Sequence, residues 1–314
     1  MLQYLVILLD ETSTSYCYYN NPRTKRKLIS EETLKSAIIF AMKENLQIQF
    51  VYPSYVLPSN YQELIETVDH SKICPDSQTD VQADVVVFND WEHFINYPFR
   101  PDTTYVFRIK KDDFFQKYSF IIDVLPKITR LNVTVTDIET FGEKDLENYR
   151  LTLQQFSNII EKLYLQGKNI QFNLLTDRMM LNNMNNCDAG WRNITLAPNG
   201  KFYVCPAFYL ADTNDNIGDL LTGIHESNPQ LYQLDYAPIC RRCDAFQCRR
   251  CMWLNKKTTL EINTPSHEQC AVSHIERNAS RALLHKIREQ RDFLKGYDIK
   301  EISYSDPFEI SKRF

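Results

Sequence analysis

Four cysteines within twelve residues constrain this chain more than any other feature: Cys240-Arg-Arg-Cys243-Asp-Ala-Phe-Gln-Cys248-Arg-Arg-Cys251, a CxxCx4CxxC run. Cys187 and Cys205 precede it and Cys270 follows, so seven of the nine cysteines crowd the C-terminal part of the chain. The opening MLQYLVILLDETSTSYCYY has no cationic leader, and its apolar run ends at Asp10, too short for a secretory signal or a membrane span. The expected compartment is therefore the cytoplasm. Thiols stay reduced there, so clustered cysteines serve metals rather than disulfides.

The spacing then separates the metals. A structural zinc site usually joins two CxxC knuckles across roughly 12 to 20 residues, so that the chain can return and close one tetrahedron. Here four residues separate them. A close run whose last member ligates a different centre is an iron–sulfur arrangement. Seven thiols divide into four and three, giving one fully ligated cluster and a second with an open position. Arg241, Arg242, Arg249 and Arg250 inside the run, with Lys256 and Lys257 after it, would offset the negative charge of thiolate-bound iron. For any one arginine a solvated basic face is an equal reading. The pattern favours iron–sulfur; zinc, or thiols without metal, remain the alternatives.

Other chemistries are excluded by what the chain lacks. Its 314 residues hold only 7 glycines, and neither GxGxxG nor GxxxxGK[ST] can be written, so the backbone cradles for dinucleotides and triphosphates are missing. A formal charge of −4 gives no global footprint for nucleic acid or an anionic membrane, and neither is expected as a partner. No Ser/His/Asp or HExxH pattern occurs, and the carboxylates around Asp137, Glu139 and Glu143 have no acid/base spacing. No catalytic residue is singled out.

Up to about residue 180, apolar strand candidates at 4–9, 48–52, 85–88, 105–109, 131–135 and 170–174 alternate with helical patterns. Ser30 before Glu31 and Glu32 caps one helix, with Leu34, Ile38, Ile39 and Met42 as its apolar face. Another spans 143–165, with Leu151, Phe156, Ile159, Ile160 and Leu163. Six βα units predict an α/β fold, a partial (β/α)6 TIM-like barrel over 1–180. Residues 181–314 form a second, cysteine-rich domain. It opens on a hairpin whose Asn199-Gly200 suits a type I′ turn, and ends in a helix over 271–294 with Ile275, Ala279, Ala282, Leu283 and Ile287 on one side.

Cys187, twelve residues, Gly200, four residues, Cys205, then the close run and Cys270 together resemble the SPASM extension of radical SAM enzymes that modify ribosomal peptides. Ile217-Gly218-Asp219-Leu220 is typical of such extensions, and the six βα units match that superfamily's partial barrel. The resemblance implies two auxiliary [4Fe-4S] clusters: Cys187, Cys205 and Cys251 would serve the first, and Cys240, Cys243, Cys248 and Cys270 the second. The later cysteines are spaced by four and two residues where the common pattern has five and three, which leaves Cys248 and Cys251 interchangeable between clusters.

The front of the barrel departs further. Radical SAM enzymes carry CxxxCxxC after the first strand; here only Cys17 remains, and Asp10 and Thr14 stand at the two other positions. A hard carboxylate and a hydroxyl cannot replace two soft thiolates on iron. The glycine-glycine-glutamate turn after the second strand is replaced by Gln49-Phe-Val-Tyr52-Pro-Ser-Tyr55. Cleavage of S-adenosylmethionine is therefore not expected. The chain is similar to the CXXX repeat peptide maturases, whose substrates are taken to be cysteine-rich peptides. The expectation is an iron–sulfur protein of a peptide maturation system that binds a cysteine-rich precursor peptide. A non-catalytic partner or redox sensor serving an active radical enzyme, or a zinc-stabilised scaffold, is the alternative.

Lesser candidates complete the reading. Cys17 reads as a partly buried thiol at a strand end, with a lone redox thiol as the alternative, and Cys74 as a loop or core thiol. His267 and His274 flank Cys270 and could complete a cluster, although a surface or cap histidine is the plainer account. Tyr52 and Tyr55, beside prolines at a strand's C-terminal end, are the best exposed candidates for peptide contact.

Overall fold

Residues 2–295 are described in the computed structural model. The chain begins β1 (Tyr4–Leu8), α1 (Glu31–Lys43), β2 (Gln47–Val51), α2 (Ser59–Ile65), β3 (His70–Pro75) and β4 (Val85–Phe88). Next come α3 (Trp91–Asn96), β5 (Thr104–Ile109), α4 (Lys111–Val124), β6 (Arg130–Val135), α5 (Glu143–Leu165), β7 (Gln171–Phe172) and α6 (Thr176–Met180). Then follow β8 (Asn193–Leu196), β9 (Lys201–Tyr203), α7 (Pro206–Ala211), β10 (Gly218–Asp219), β11 (Gly223–Ile224), α8 (Met252–Thr259) and α9 (His267–Gln290). Two compact units divide these elements, one built from Met1–Phe88 and Asp188–Tyr236, the other from Asn89–Cys187 and the chain from Ala237 onward.

In the first unit β8, β1, β2, β3 and β4 lie side by side in that order, all parallel. Beyond β8 the antiparallel strands β9, β10 and β11 extend the sheet. The second unit carries parallel β5, β6 and β7. Burial explains the composition of the central strands: Leu5, Ile7, Phe50, Val51, Val87 and Phe88 are wholly buried, as a sheet covered on both faces requires.

Three strands have no counterpart among the sequence candidates, the two-residue β10 and β11 and the longer β3. β3 reads His-Ser-Lys-Ile-Cys-Pro and is buried only in its second half, so no apolar run marks it. Pairing with β2 and β4 holds it in place. Cys74 lies within it, fully buried, and burial pushes its thiol up to about 12. It is a core thiol.

Helix caps follow the sequence; helix faces do so only in part. Ser30 accepts the Thr33 N–H at 3.0 Å. The buried face of α1 is Leu34, Ala37, Ile38 and Ala41, whereas Ile39 and Met42 are 51% and 66% exposed. Ala37 and Ala41 complete the buried stripe with Leu34 and Ile38, and the larger Ile39 and Met42 fall outside it. Leu151 of α5 is likewise exposed, and Tyr149, Leu153, Phe156 and Ile160 point inward. α9 starts four residues earlier than expected, where the Ser266 hydroxyl accepts the Gln269 N–H at 3.2 Å. Ala282 is exposed, and Ser273, His274, Glu276 and Arg277 are buried with Leu283, Leu284 and Ile287.

The expected hairpin forms with a different turn. Gly200 N–H bonds the Ala197 carbonyl at 2.9 Å and Ala197 N–H bonds the Lys201 carbonyl at 3.1 Å. Gly200 alone has positive φ, +78°, and Asn199 does not. This is a three-residue loop, a type I turn led by Pro198 and closed by a left-handed glycine, rather than a type I′ turn. Gly218 is the stricter glycine, because at φ +133° a Cβ would lie 2.0 Å from the Gly223 carbonyl oxygen across the β10–β11 ribbon. Among the described residues no helix is long and apolar enough to cross a membrane.

Candidate functional site

In the second unit the cysteine run is a chain of short turns. Cys243 N–H bonds the Cys240 carbonyl at 3.0 Å, and Cys248 N–H bonds that of Ala245 at 2.9 Å. These turns direct side chains toward α9. Cys243 Sγ lies 3.6 Å from His274 Nε2 and accepts the Ala245 N–H at 3.4 Å. A side-chain hydrogen bond joins Cys248 to Ser273. Ser273 and His274 stand three and four residues after Cys270, hence on the same helix face. Cys240, Cys243 and Cys248 thus gather against the turn of α9 that carries Cys270. Burial pushes the Cys240 thiol up to about 12, with nearby Cys248 adding to the shift, and burial also raises Cys248. His267, in contrast, is 53% exposed beside Glu268, while His274 is buried.

Cys187 is tied to the end of the run. Its N–H bonds the Arg249 carbonyl at 3.0 Å, and Asn186 accepts from Arg250 Nε at 3.1 Å. Arg250 is buried at a positive φ of 46° and also reaches Asn263 at 2.7 Å. Three contacts thus hold this unusual backbone conformation beside Cys251. Cys205 belongs to the first unit, at the N-terminus of α7. No disulfide joins any of the nine cysteines. Among the described residues no three His, Cys, Asp or Glu side chains converge as a single-ion site. The donor set suits thiolate-bound iron in kind, because hydrogen-bonding groups such as the Ala245 N–H are aimed at sulfur.

The four residues between the knuckles are more than a spacer. Asp244 is buried, paired with Arg277 at 2.8 Å and with Arg281 through its other oxygen. Burial alone would raise its carboxyl, but the two guanidinium groups hold it below the ordinary carboxylate range. Arg178 donates to the Asp244 carbonyl at 2.8 Å and lies over the Phe246 ring at 4.3 Å. An acid amid four arginines is the one sequence signal for this clamp, and spacing alone does not bring it out.

In the first unit the loop after β1 is organised around Asp10, which is wholly buried. One carboxylate oxygen accepts from the Thr12 N–H at 2.8 Å and the Thr12 hydroxyl at 2.5 Å. The other accepts from the Lys27 N–H and the Tyr55 hydroxyl, both at 2.8 Å. Thr14 N–H bonds the carbonyl of Tyr52, whose side chain is buried rather than exposed as expected. Glu11 pairs with Arg23 and accepts from Tyr209 of α7 at 2.6 Å, with the Arg23 guanidinium 4.0 Å over the tyrosine ring. Replacing Asp10 with alanine strands four donors, two of them backbone N–H groups. A loss of about 3 kcal/mol in urea unfolding is expected, and an unchanged midpoint would remove Asp10 from this role.

These elements, parallel βα units leading into a hairpin and a cysteine-rich extension, define a mixed α/β protein with the fold of a radical SAM/SPASM enzyme. Among solved structures the chain is similar to anSMEcpe, a radical SAM/SPASM anaerobic sulfatase maturating enzyme. The native enzyme with bound AdoMet and Cp18Cys peptide aligns with a TM-score of 0.63 at 12% identity, over 92% of this chain and 100% of that one. The form with Kp18Cys peptide gives 0.61 at 12% identity, over 91% and 99%, and a hexahistidine-tagged form with AdoMet gives 0.62 at 13%, over 92% and 96%. No family model and no curated protein matches the chain.

Proposed function

We propose that this chain is an iron–sulfur protein of a ribosomal peptide maturation system. It binds a cysteine-rich precursor peptide and carries two auxiliary [4Fe-4S] clusters, and it does not cleave S-adenosylmethionine. Cys240, Cys243, Cys248 and Cys270 hold one cluster; Cys187, Cys205 and Cys251 hold the other, with a position left open. Such clusters supply electron transfer and, at an open iron, a site for a substrate thiolate. The chain's own residues position the ligands, offset their charge through Arg250 and the neighbouring arginines, and keep water from Cys240.

The observation that carries the reading is the hydrogen bond between Asp10 and Tyr55. By the resemblance, Asp10 stands where the first thiolate of the S-adenosylmethionine cluster belongs, and Tyr55 lies in the segment that replaces the methionine-binding turn. The substitutes bond each other, and all the acceptor capacity used by Asp10 is turned inward. Peptide binding draws support from anSMEcpe, which shares the fold and was solved with peptides bound. The test is anaerobic reconstitution with iron and sulfide, followed by S-adenosylmethionine and a strong reductant. Iron should be retained and no 5′-deoxyadenosine released. Multiple turnovers to 5′-deoxyadenosine would refute the claim about the front loop.

A further inference from the structure

We infer that the segment Arg23-Thr24-Lys25-Arg26-Lys27 is a docking surface for an acidic stretch of the substrate peptide, at the strand C-terminal end of the first unit. This rests on the peptide-binding reading and adds the chemistry of what is recognised. Four of these five residues are cationic in a chain whose net charge is −4. Arg23 is used internally, in the ion pair with Glu11 and the stack on Tyr209. Lys25, Arg26 and Lys27 are exposed.

The segment is held, not loose. Lys27 donates its N–H to Asp10 at 2.8 Å, and its carbonyl accepts the Glu11 N–H at 3.1 Å. Ile29 N–H bonds the Leu9 carbonyl at 2.9 Å, so the returning chain pairs directly beyond β1. The Arg26 guanidinium lies 4.3 Å over the ring of Tyr55, the residue that also bonds Asp10. The network that fills the front loop therefore also anchors the Arg26 guanidinium and the Lys27 backbone, and with them the exposed side chains of Lys25 and Lys27, at the end of the sheet where ligands of parallel α/β folds bind. A backbone already held in place loses less entropy when its side chains engage an extended partner. A short cationic segment suits a run of a few carboxylates. Tight nucleic-acid binding draws on many phosphate contacts across a broad basic face, which an acidic chain does not offer.

The test uses the reconstituted full chain and fluorescence anisotropy, with two labelled peptides of equal length, one rich in Asp and Glu and the other neutral with cysteine at every fourth position. The acidic peptide should bind, and its affinity should fall as salt rises. The double substitution Lys25→Glu and Lys27→Glu should weaken it at least about tenfold, and Lys25→Gln with Lys27→Gln should weaken it less. A control with the same charge change at sites preceding strands, Lys43→Glu with Lys168→Glu, should leave it within about twofold. Equal loss in the control, no loss in the reversal, or tighter binding of single-stranded nucleic acid or of phosphatidylserine vesicles would each overturn the inference. Binding of the neutral cysteine peptide alone would overturn it while leaving the broader reading intact, and binding of neither peptide would refute both.

Discussion

Alanine in place of Cys240 or Cys243 is expected to remove about four of about eight irons per chain after anaerobic reconstitution. It should also destabilise the C-terminal segment. The first effect follows from the ligand set: Cys240 and Cys243 open the run, and both lie close enough to Cys248 for their charges to interact. The second follows from linkage. Burial raises the thiols of Cys240 and Cys248, so the apoprotein holds them neutral, and cluster assembly must release their protons. Ligation free energy then becomes folding free energy, in a stretch whose other ties are short turns and the Asp244 clamp. Cys74→Ala, at a buried thiol within β3, should keep the full iron content. Iron and sulfide quantitation with absorbance near 400 nm decides the matter. Full iron in either ligand variant, or equal loss in Cys74→Ala, would contradict the assignment.

Much of this is legible in the sequence because it rests on local chemistry. The CxxCx4CxxC run, the cap at Ser30 and the hairpin around Gly200 each depend on residues adjacent in the chain. What escapes depends on long-range pairing. β3 has no apolar pattern of its own and is a strand because β2 and β4 flank it. His274 looks like a helix-surface residue until α9 lies against Cys243. Asp10 stands in the sequence only as a position where a thiolate is missing. Its four donors come from residues 12, 27 and 55, and no spacing rule connects them. Tyr52 and Tyr55 look alike as exposed aromatics, but Tyr52 is core, its N–H bonded to the Ile73 carbonyl just past β2, whereas Tyr55 lies in the following loop and caps Asp10.

Glu276 makes the second large effect, because it is a carboxyl buried on α9 whose hydrogen-bond partners are neutral. Its Oε1 accepts the Tyr149 hydroxyl at 2.6 Å, and Gln247 supplies a further bond. Both bonds favour the charged form, and Asp177 opposes it more weakly than burial does. Burial dominates and raises the group from its ordinary value of 4.5 to about 8. Between those two pH values the folded chain keeps a proton that the unfolded chain releases, so stability falls as pH rises, by about 1.4 kcal/mol per pH unit. Below pH 4.5 both states are protonated and this dependence vanishes. Glu276→Gln keeps the shape and stays neutral at every pH. It should therefore lose this slope and be more stable than the parent at pH 8, while matching it near pH 5. Urea midpoints of the two proteins across that range test the claim. Parallel pH profiles would mean that Glu276 is ionised in the folded state, and a variant destabilised equally at every pH would mean that its hydrogen bonds, not its proton, matter to the α5–α9 packing.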